Sequence, residues 1–215
     1  ASPRDTTSFI SLGASQSGQP TMASVMAMVD SDDADIIVKR LQPLAEISPL
    51  HGQSVQLTTY PAVIANARGA GNQGRGEPVA RSGLIEHITP EFAQAAARLI
   101  NSGAAYFFQI RSVGGAISDV DPDATAYAHR SANFSVVAFA SNRQRLDLLW
   151  AGLYPHFDGL YLSFETDQSP ERIADAFPPK TLDRLRQLKA LYDPNNLFND
   201  NFNVVETVTE ERSAS

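Results

Sequence analysis

Hydrophobic and polar positions along the 215 residues switch repeatedly between a period of two and a period near 3.6. Residues 8–12 alternate as a short strand, and residues 15–19 form a turn cluster. TMASVMAMV, residues 21–29, is the longest apolar run and predicts a buried strand. Ser31 or Asp32 caps the helix expected next, with Asp33 and Asp35 at its positive end. Ile36, Ile37 and Leu41 share one side of that helix, and Pro43 ends it. Residues 54–59 alternate as a strand, and Pro61 opens a short helix over 60–67. Residues 68–78 are glycine-rich and read as a mobile loop. Thr89-Pro90-Glu91 then starts a strong helix with Phe92, Ala96, Leu99 and Ile100 inward. Residues 104–113 form a strand stopped by Gly114-Gly115, and residues 119–123 a turn. A strand over 134–140 leads into a helix that Ser141 opens and that runs through Trp150. Residues 159–165 read as a strand with Tyr161 and Ser163 on one face and Leu160, Leu162 and Phe164 on the other. Two helices follow, over 169–176 and 180–191. Strands rich in alternation, joined by helices, predict an α+β fold: an antiparallel sheet with helices packed on one face.

Composition changes little in this picture but excludes several functions. The chain is 43% hydrophobic and 19% charged, an ordinary globular balance. Its net charge of −7 and its scattered basic residues argue against nucleic acid or an anionic membrane as partner. No segment is long and apolar enough to span a bilayer, so a soluble protein is expected, cytoplasmic or secreted. With no cysteine, the chain has neither disulfides nor thiolate chemistry. The four histidines, His51, His87, His129 and His156, show no metal-binding spacing. No G-x-S-x-G elbow is present. The chain starts ASPRDTTSF without a methionine, and a processed chain or a piece of a longer one is expected.

Three segments, in order, carry a family resemblance. GGAISDVDPDATAYAHRSANFSVVAFA, residues 114–140, has a Gly-Gly, an acidic turn and a T-A-Y/F-x-H-R run entering a strand. GLYLSFE, residues 159–165, is similar to a Y-x-N-Y/F strand. RLRQLKALYDPNNLFNDNFNV, residues 184–204, is similar to a closing R-L-x-x-L-K-x-x-Y-D-P-x-N-x-F motif with a polar tail. Together they resemble the C-terminal half of berberine-bridge-enzyme-like FAD-linked oxidases, flavoproteins of the vanillyl-alcohol-oxidase type. The resemblance covers nearly the whole chain, more weakly before residue 60. It implies a substrate-binding cap domain over residues 1–165 and a berberine-bridge-type segment over 166–215. It also implies that FAD is held mostly by a domain absent from this chain, supplied in cis or in trans. The glycine-rich stretch GAGNQGRG, residues 69–76, does not lie between a clear strand and a helix, and reads as a surface loop rather than a phosphate site.

The resemblance also singles out side chains. Tyr161 matches the tyrosine that acts as base in sugar- and alcohol-oxidising members; its other reading is a tyrosine filling a sheet face. Ser163 stands where the family has an asparagine that contacts flavin. A hydroxyl still donates a hydrogen bond but lacks the amide's paired donors. Asp119 falls where alkaloid-oxidising members place a catalytic glutamate, although its acid-rich turn favours a solvated turn residue. His129, in the H-R pair with Arg130, either orients substrate or packs with a satisfied ring nitrogen. Gln109 and Arg111 share one strand face, where they either bond a polar substrate or face solvent. Tyr127 has the same two readings. Asn201 and Asn203, in the polar tail, either bond the flavin or face solvent. Asp193, Pro194 and Asn196 form a turn that aims that tail.

The function expected from these residues is hydride transfer from a C–H carbon of a small organic substrate to FAD, with O2 as acceptor. The rival is a stand-alone relic that binds a ligand or a protein partner and catalyses nothing, which the missing nucleotide-binding domain and Ser163 favour.

Overall fold

The computed structural model describes residues 3–13, 21–67 and 79–205. The expected turn at 15–19 and the glycine-rich stretch at 68–78 lie outside them. Five strands form one sheet: β1 (Thr6–Gly13), β2 (Ala23–Val29), β3 (Val79–Ile85), β4 (Phe107–Ser112) and β5 (Phe134–Ala140). Their order is β2-β1-β4-β5-β3, and every neighbouring pair is antiparallel. The helices are α1 (Ala34–Ala45), α2 (Tyr60–Ala67), α3 (Pro90–Asn101), α4 (Arg143–Trp150), α5 (Pro170–Ala176) and α6 (Pro179–Tyr192). This is the α+β arrangement that the alternation predicts.

The core lies between the sheet and α3 and α4. Strand period two sends Phe108 of β4 and Val136, Ala138 and Ala140 of β5 to the same side. There they meet Phe92, Leu99 and Ile100 of α3 and Leu146 and Trp150 of α4. Phe92, Leu99 and Leu146 are completely buried, and each such side chain contributes roughly 1.5–3 kcal/mol. Helix α3 starts where the sequence says it should. Thr89 Oγ1 accepts the amide of Phe92 at 3.2 Å, and Pro90 occupies the first turn, where its missing N–H costs nothing.

Several expectations need correction. Of residues 21–29, Ala23–Val29 form a strand, but β2 is an edge with only β1 beside it, so Met26 is half exposed rather than buried. Residues 54–59 alternate yet form no strand: they are exposed and join no ladder among the described residues. Alternation is insufficient without a ladder partner. Asp33 caps α1, through bonds to the amides of Asp35 and Ile36, and Pro43 lies inside its last turn. Asn142, not Ser141, caps α4. Strand β3 has no clear apolar signal, because Arg81, Ser82 and Gly83 interrupt its pattern, yet six of its seven residues are buried.

Residues 159–165 are not a strand. Gly159 makes a single bridge to Leu84, and Leu162–Phe164 close a 3-10 turn. Residues 158–167 instead form a strap along the outer edge of β3. All three outward amides of that edge are taken: Leu84 donates to the Gly159 carbonyl (2.7 Å), Ser82 to Glu165 Oε2 (3.3 Å) and Ala80 to Thr166 Oγ1 (3.0 Å). An open edge is thereby closed without a sixth strand. Glu165 is the strap's anchor. Its buried Oε1 accepts Arg81 Nη1 at 3.0 Å and the amides of Thr166 and Asp167 at 2.8 Å each. Arg81, 3% exposed, also pairs with Asp147 of α4, so one guanidinium ties strap, sheet and helix layer together.

Burial holds the Glu165 carboxyl above its ordinary range, against the opposing pull of the Asp167 amide and of Arg81. The folded state therefore takes up this proton more readily than the unfolded one. The contribution is complete below the unfolded value of about 4.3 and is lost as pH rises through the folded value. Arg81→Ala removes a cation that opposes the shift and leaves a buried carboxylate without its counter-charge. Urea unfolding should show a loss of about 3–5 kcal/mol near neutral pH. The loss should shrink as pH falls below ~4, where Glu165 becomes protonated in both states. A pH-independent deficit would contradict this role for the pair.

Candidate functional site

The sheet face opposite α3 and α4 carries the other parity of every strand. Register aligns Phe9 of β1 with Arg111 of β4 and Ser135 of β5, and Ser11 with Gln109 and Val137. Phe107 and Phe139 are cross-strand partners whose rings stack at 5.4 Å. A polar chain crosses this face: Gln109 Nε2 donates to Ser11 Oγ at 3.1 Å, and Arg111 Nη2 donates to Gln109 Oε1 at 2.8 Å. The Arg111 guanidinium lies 6.0 Å from the Phe9 ring centroid and 5.7 Å from that of Phe164, within cation–π range of both.

The strap brings further rings to the same face. Tyr161 enters the 3-10 turn with its amide donating to Ser82 Oγ at 3.2 Å. The tight turn then sets Phe164 beside it, ring centroids 5.8 Å apart, with Phe164 also edge-on to Phe139 at 6.4 Å. The Tyr127 ring meets Tyr161 nearly perpendicularly at 6.3 Å, and the Arg130 guanidinium sits 4.9 Å from the Tyr127 ring. Burial raises the Tyr127 phenol above its usual range, with Arg130 pulling the other way. Tyr161 itself is 42% exposed, so its phenol is accessible. The result is a shelf of rings with two cations set among them.

Of the side chains that the sequence singles out, Tyr161, Tyr127, Gln109 and Arg111 meet on this surface. The others have their contacts elsewhere. Asp119 pairs with Arg4 on an exposed turn, and that bond holds its carboxyl below the ordinary range. His129 Nε2 lies 2.9 and 3.1 Å from the carbonyl oxygens of Asp175 and Ala176 at the end of α5. Ser163 is exposed within the 3-10 turn. Asn201, at φ 56°, and Asn203 form local turns of the tail, where Asn203 Oδ1 accepts the Val205 amide. That tail is aimed by Asp193, whose two oxygens accept the amides of Leu197 (2.7 Å) and Phe198 (3.0 Å) and bind Lys189.

Sequence reasoning misses Phe9, Ser11 and the shelf role of Phe164. Alternation over residues 8–12 does put Phe9 and Ser11 on one side, but only the pairing of β1 with β4 sets them beside Arg111 and Gln109. Arg81 and Glu165 carry no motif at all. A cleft of about 490 Å³ between residues 123–126 and α6 shares no lining residue with the shelf. Among the described residues, no group of three or more His, Asp or Glu is placed to hold a metal ion, and no helix is long and apolar enough to cross a membrane.

The strap has one position with no room for a side chain. A Cβ at Gly159 would stand 2.2 Å from the His129 ring, which is held by its two carbonyl partners. Gly159→Ala should therefore cost about 1–3 kcal/mol in urea unfolding. Full stability in that variant would show that His129 moves freely.

Comparison with known proteins fits this geometry. Residues 161–205 match the family model described as berberine and berberine like. A curated relative, the FAD-linked oxidoreductase sorD of Penicillium rubens, is 26% identical over 113 residues, 46% of this chain and 24% of that protein. Among solved structures, 6-hydroxy-D-nicotine oxidase from Arthrobacter nicotinovorans is similar over 93% of this chain and 48% of its own, with a TM-score of 0.74 and 19% identity. The berberine-bridge-like 1 protein of Physcomitrella patens is similar over 96% of this chain and 49% of its own, with a TM-score of 0.77 and 16% identity. The chain thus spans about half the length of the solved structures it resembles. Residues 161–205 thus resemble the berberine-like family, and the chain shares its fold with about half the length of 6-hydroxy-D-nicotine oxidase and of the Physcomitrella protein.

Proposed function

We propose that the chain is the substrate side of an FAD-dependent oxidase. The single observation that carries this is the shelf itself. An accessible tyrosine, two cations and an amide converge on an aromatic face, in a chain whose relatives are FAD-linked oxidoreductases. Residues 1–165 form the substrate domain and residues 166–215 the closing segment. The FAD-binding domain joins them in cis or in trans.

The shelf fits a flat, conjugated ring system with carbonyl acceptors. The rings of Tyr161, Phe164 and Phe139 offer stacking surfaces, and the exposed Arg111, held by the buried Gln109, offers donors. FAD, when bound, supplies the hydride acceptor, with O2 regenerating it. Ser163, Asn201 and Asn203 are the residues we assign to the flavin side. The chain's own task is to hold the substrate and to move a proton. Tyr161 Oη takes the proton from the substrate hydroxyl or amine as its neighbouring C–H bond breaks. Arg111 and Arg130 each lie one ring away from Tyr161, over Phe164 and Tyr127. Gln109, Arg111 and Tyr127 orient the substrate. His129, bonded to two carbonyls and packed on Gly159, acts as a positioning residue for the strap that carries Tyr161. Asp119, already paired with Arg4, has no part in this mechanism.

The test is reconstitution. The chain is co-expressed with an FAD-binding half, and the complex is offered 6-hydroxynicotine, chitooligosaccharides and aryl alcohols. A yellow complex whose flavin absorbance bleaches with one of these is expected. Tyr161→Phe should slow that bleaching by about 10²–10⁴-fold with little change in substrate binding. A complex that retains no flavin would favour the non-catalytic relic, and unchanged bleaching in Tyr161→Phe would remove that residue from the chemistry.

A further inference from the structure

Arg111 is the cation of the shelf whose partner on the substrate the oxidase reading leaves open. The guanidinium makes no ion pair with a described carboxylate, although the chain is acidic overall. It is not loose either. The Phe9 ring lies 6.0 Å away and the Phe164 ring 5.7 Å, and Gln109 Oε1 accepts one of its N–H groups at 2.8 Å. Gln109 is in turn fixed by its bond to Ser11. An orienting acceptor, itself oriented, holds one side of an exposed guanidinium and leaves its remaining donors open to a ligand. A planar fork of that kind matches the two oxygens of a carboxylate. The Phe164 ring neighbours both this cation and Tyr161.

Resting on the oxidase reading above, we propose that this site takes substrates carrying a carboxylate on a flat apolar body. The carboxylate binds Arg111, the body lies along Phe164 and Phe139, and the carbon to be oxidised sits at Tyr161. A neutral amide of the same shape has one acceptor oxygen in place of two and no charge, so it loses the paired bond and the attraction to the cation. Arg111 is then a specificity-determining residue, distinct from the group that moves the proton.

Binding tests this without turnover. Biphenyl-4-carboxylate and biphenyl-4-carboxamide are titrated by calorimetry or NMR against the full chain, alone and in complex with its FAD-binding half. The carboxylate should bind at least about tenfold more tightly, by the strength of a charge-assisted pair. Arg111→Gln should abolish that preference, and Arg111→Lys should keep part of it, since charge survives but the fork does not. In the unaltered protein the preference should shrink as salt rises, a readout that holds even if a variant fails to fold. Equal binding of the two probes, a preference that survives Arg111→Gln, or one indifferent to salt would each overturn the proposal. Tyr161→Phe should leave the preference intact, so a failed oxidase assay and a failed carboxylate preference remain separate results.

Discussion

Strand β3 is the last strand of its sheet, yet it has no free edge, and the rest of the site depends on how that edge is closed. Three outward amides, on Ala80, Ser82 and Leu84, all donate to the strap at residues 158–167. Glu165 and Arg81 hold the strap there through a bond that is buried on both sides. Taking a carboxylate out of water is costly, and the raised pKa of Glu165 shows that burial outweighs the help of its partners. Such a pair adds little net stability compared with an apolar contact of the same size. What it supplies here is register. Glu165 satisfies the Ser82 amide and its own neighbours' amides only when the strap sits at one place along β3.

From that register the geometry of the shelf follows. Tyr161 and Phe164 are four and one residues before the anchor, joined by a 3-10 turn that turns their rings toward each other. The sheet beneath supplies its unhelical face, where Phe9, Arg111 and Gln109 are aligned by strand pairing. A helix layer on one face and the candidate site on the other follow from period two: alternate residues of the same strand build the core and the shelf. In β5, Val136 and Ala138 bury against α3 and α4 while Phe139 stacks on the shelf.

How much of this was legible from the sequence varies by element. Helix α3 was, because Thr89-Pro90-Glu91 and the spacing of Phe92, Ala96 and Leu99 are local signals. Strand β5 was, because its apolar run is short and bounded. Strand β3 was not, because Arg81, Ser82 and Gly83 look like loop residues until the partners that satisfy them are known. Residues 159–165 misled in the opposite direction. Their alternation is real, but the hydrogen bonds that would make a strand are spent on side chains and on a turn. The same limit applies to the site. Family motifs pointed to Tyr161, and strand parity pointed to Gln109 and Arg111. Their meeting with Phe9 and Phe164 is a tertiary fact that no local pattern encodes. The roles of Ser163, Asn201 and Asn203 rest on the family resemblance, since their own contacts are local.

The strap is part of the sheet, and native-state hydrogen exchange measures that directly. The amides of Ala80, Ser82 and Leu84, which donate to the strap, and those of Asp158, Thr166 and Asp167 within it, should exchange only through openings as rare as those of the β5 core amides. Rapid exchange at these six sites, with β5 still protected, would show a loosely attached loop and would contradict the account.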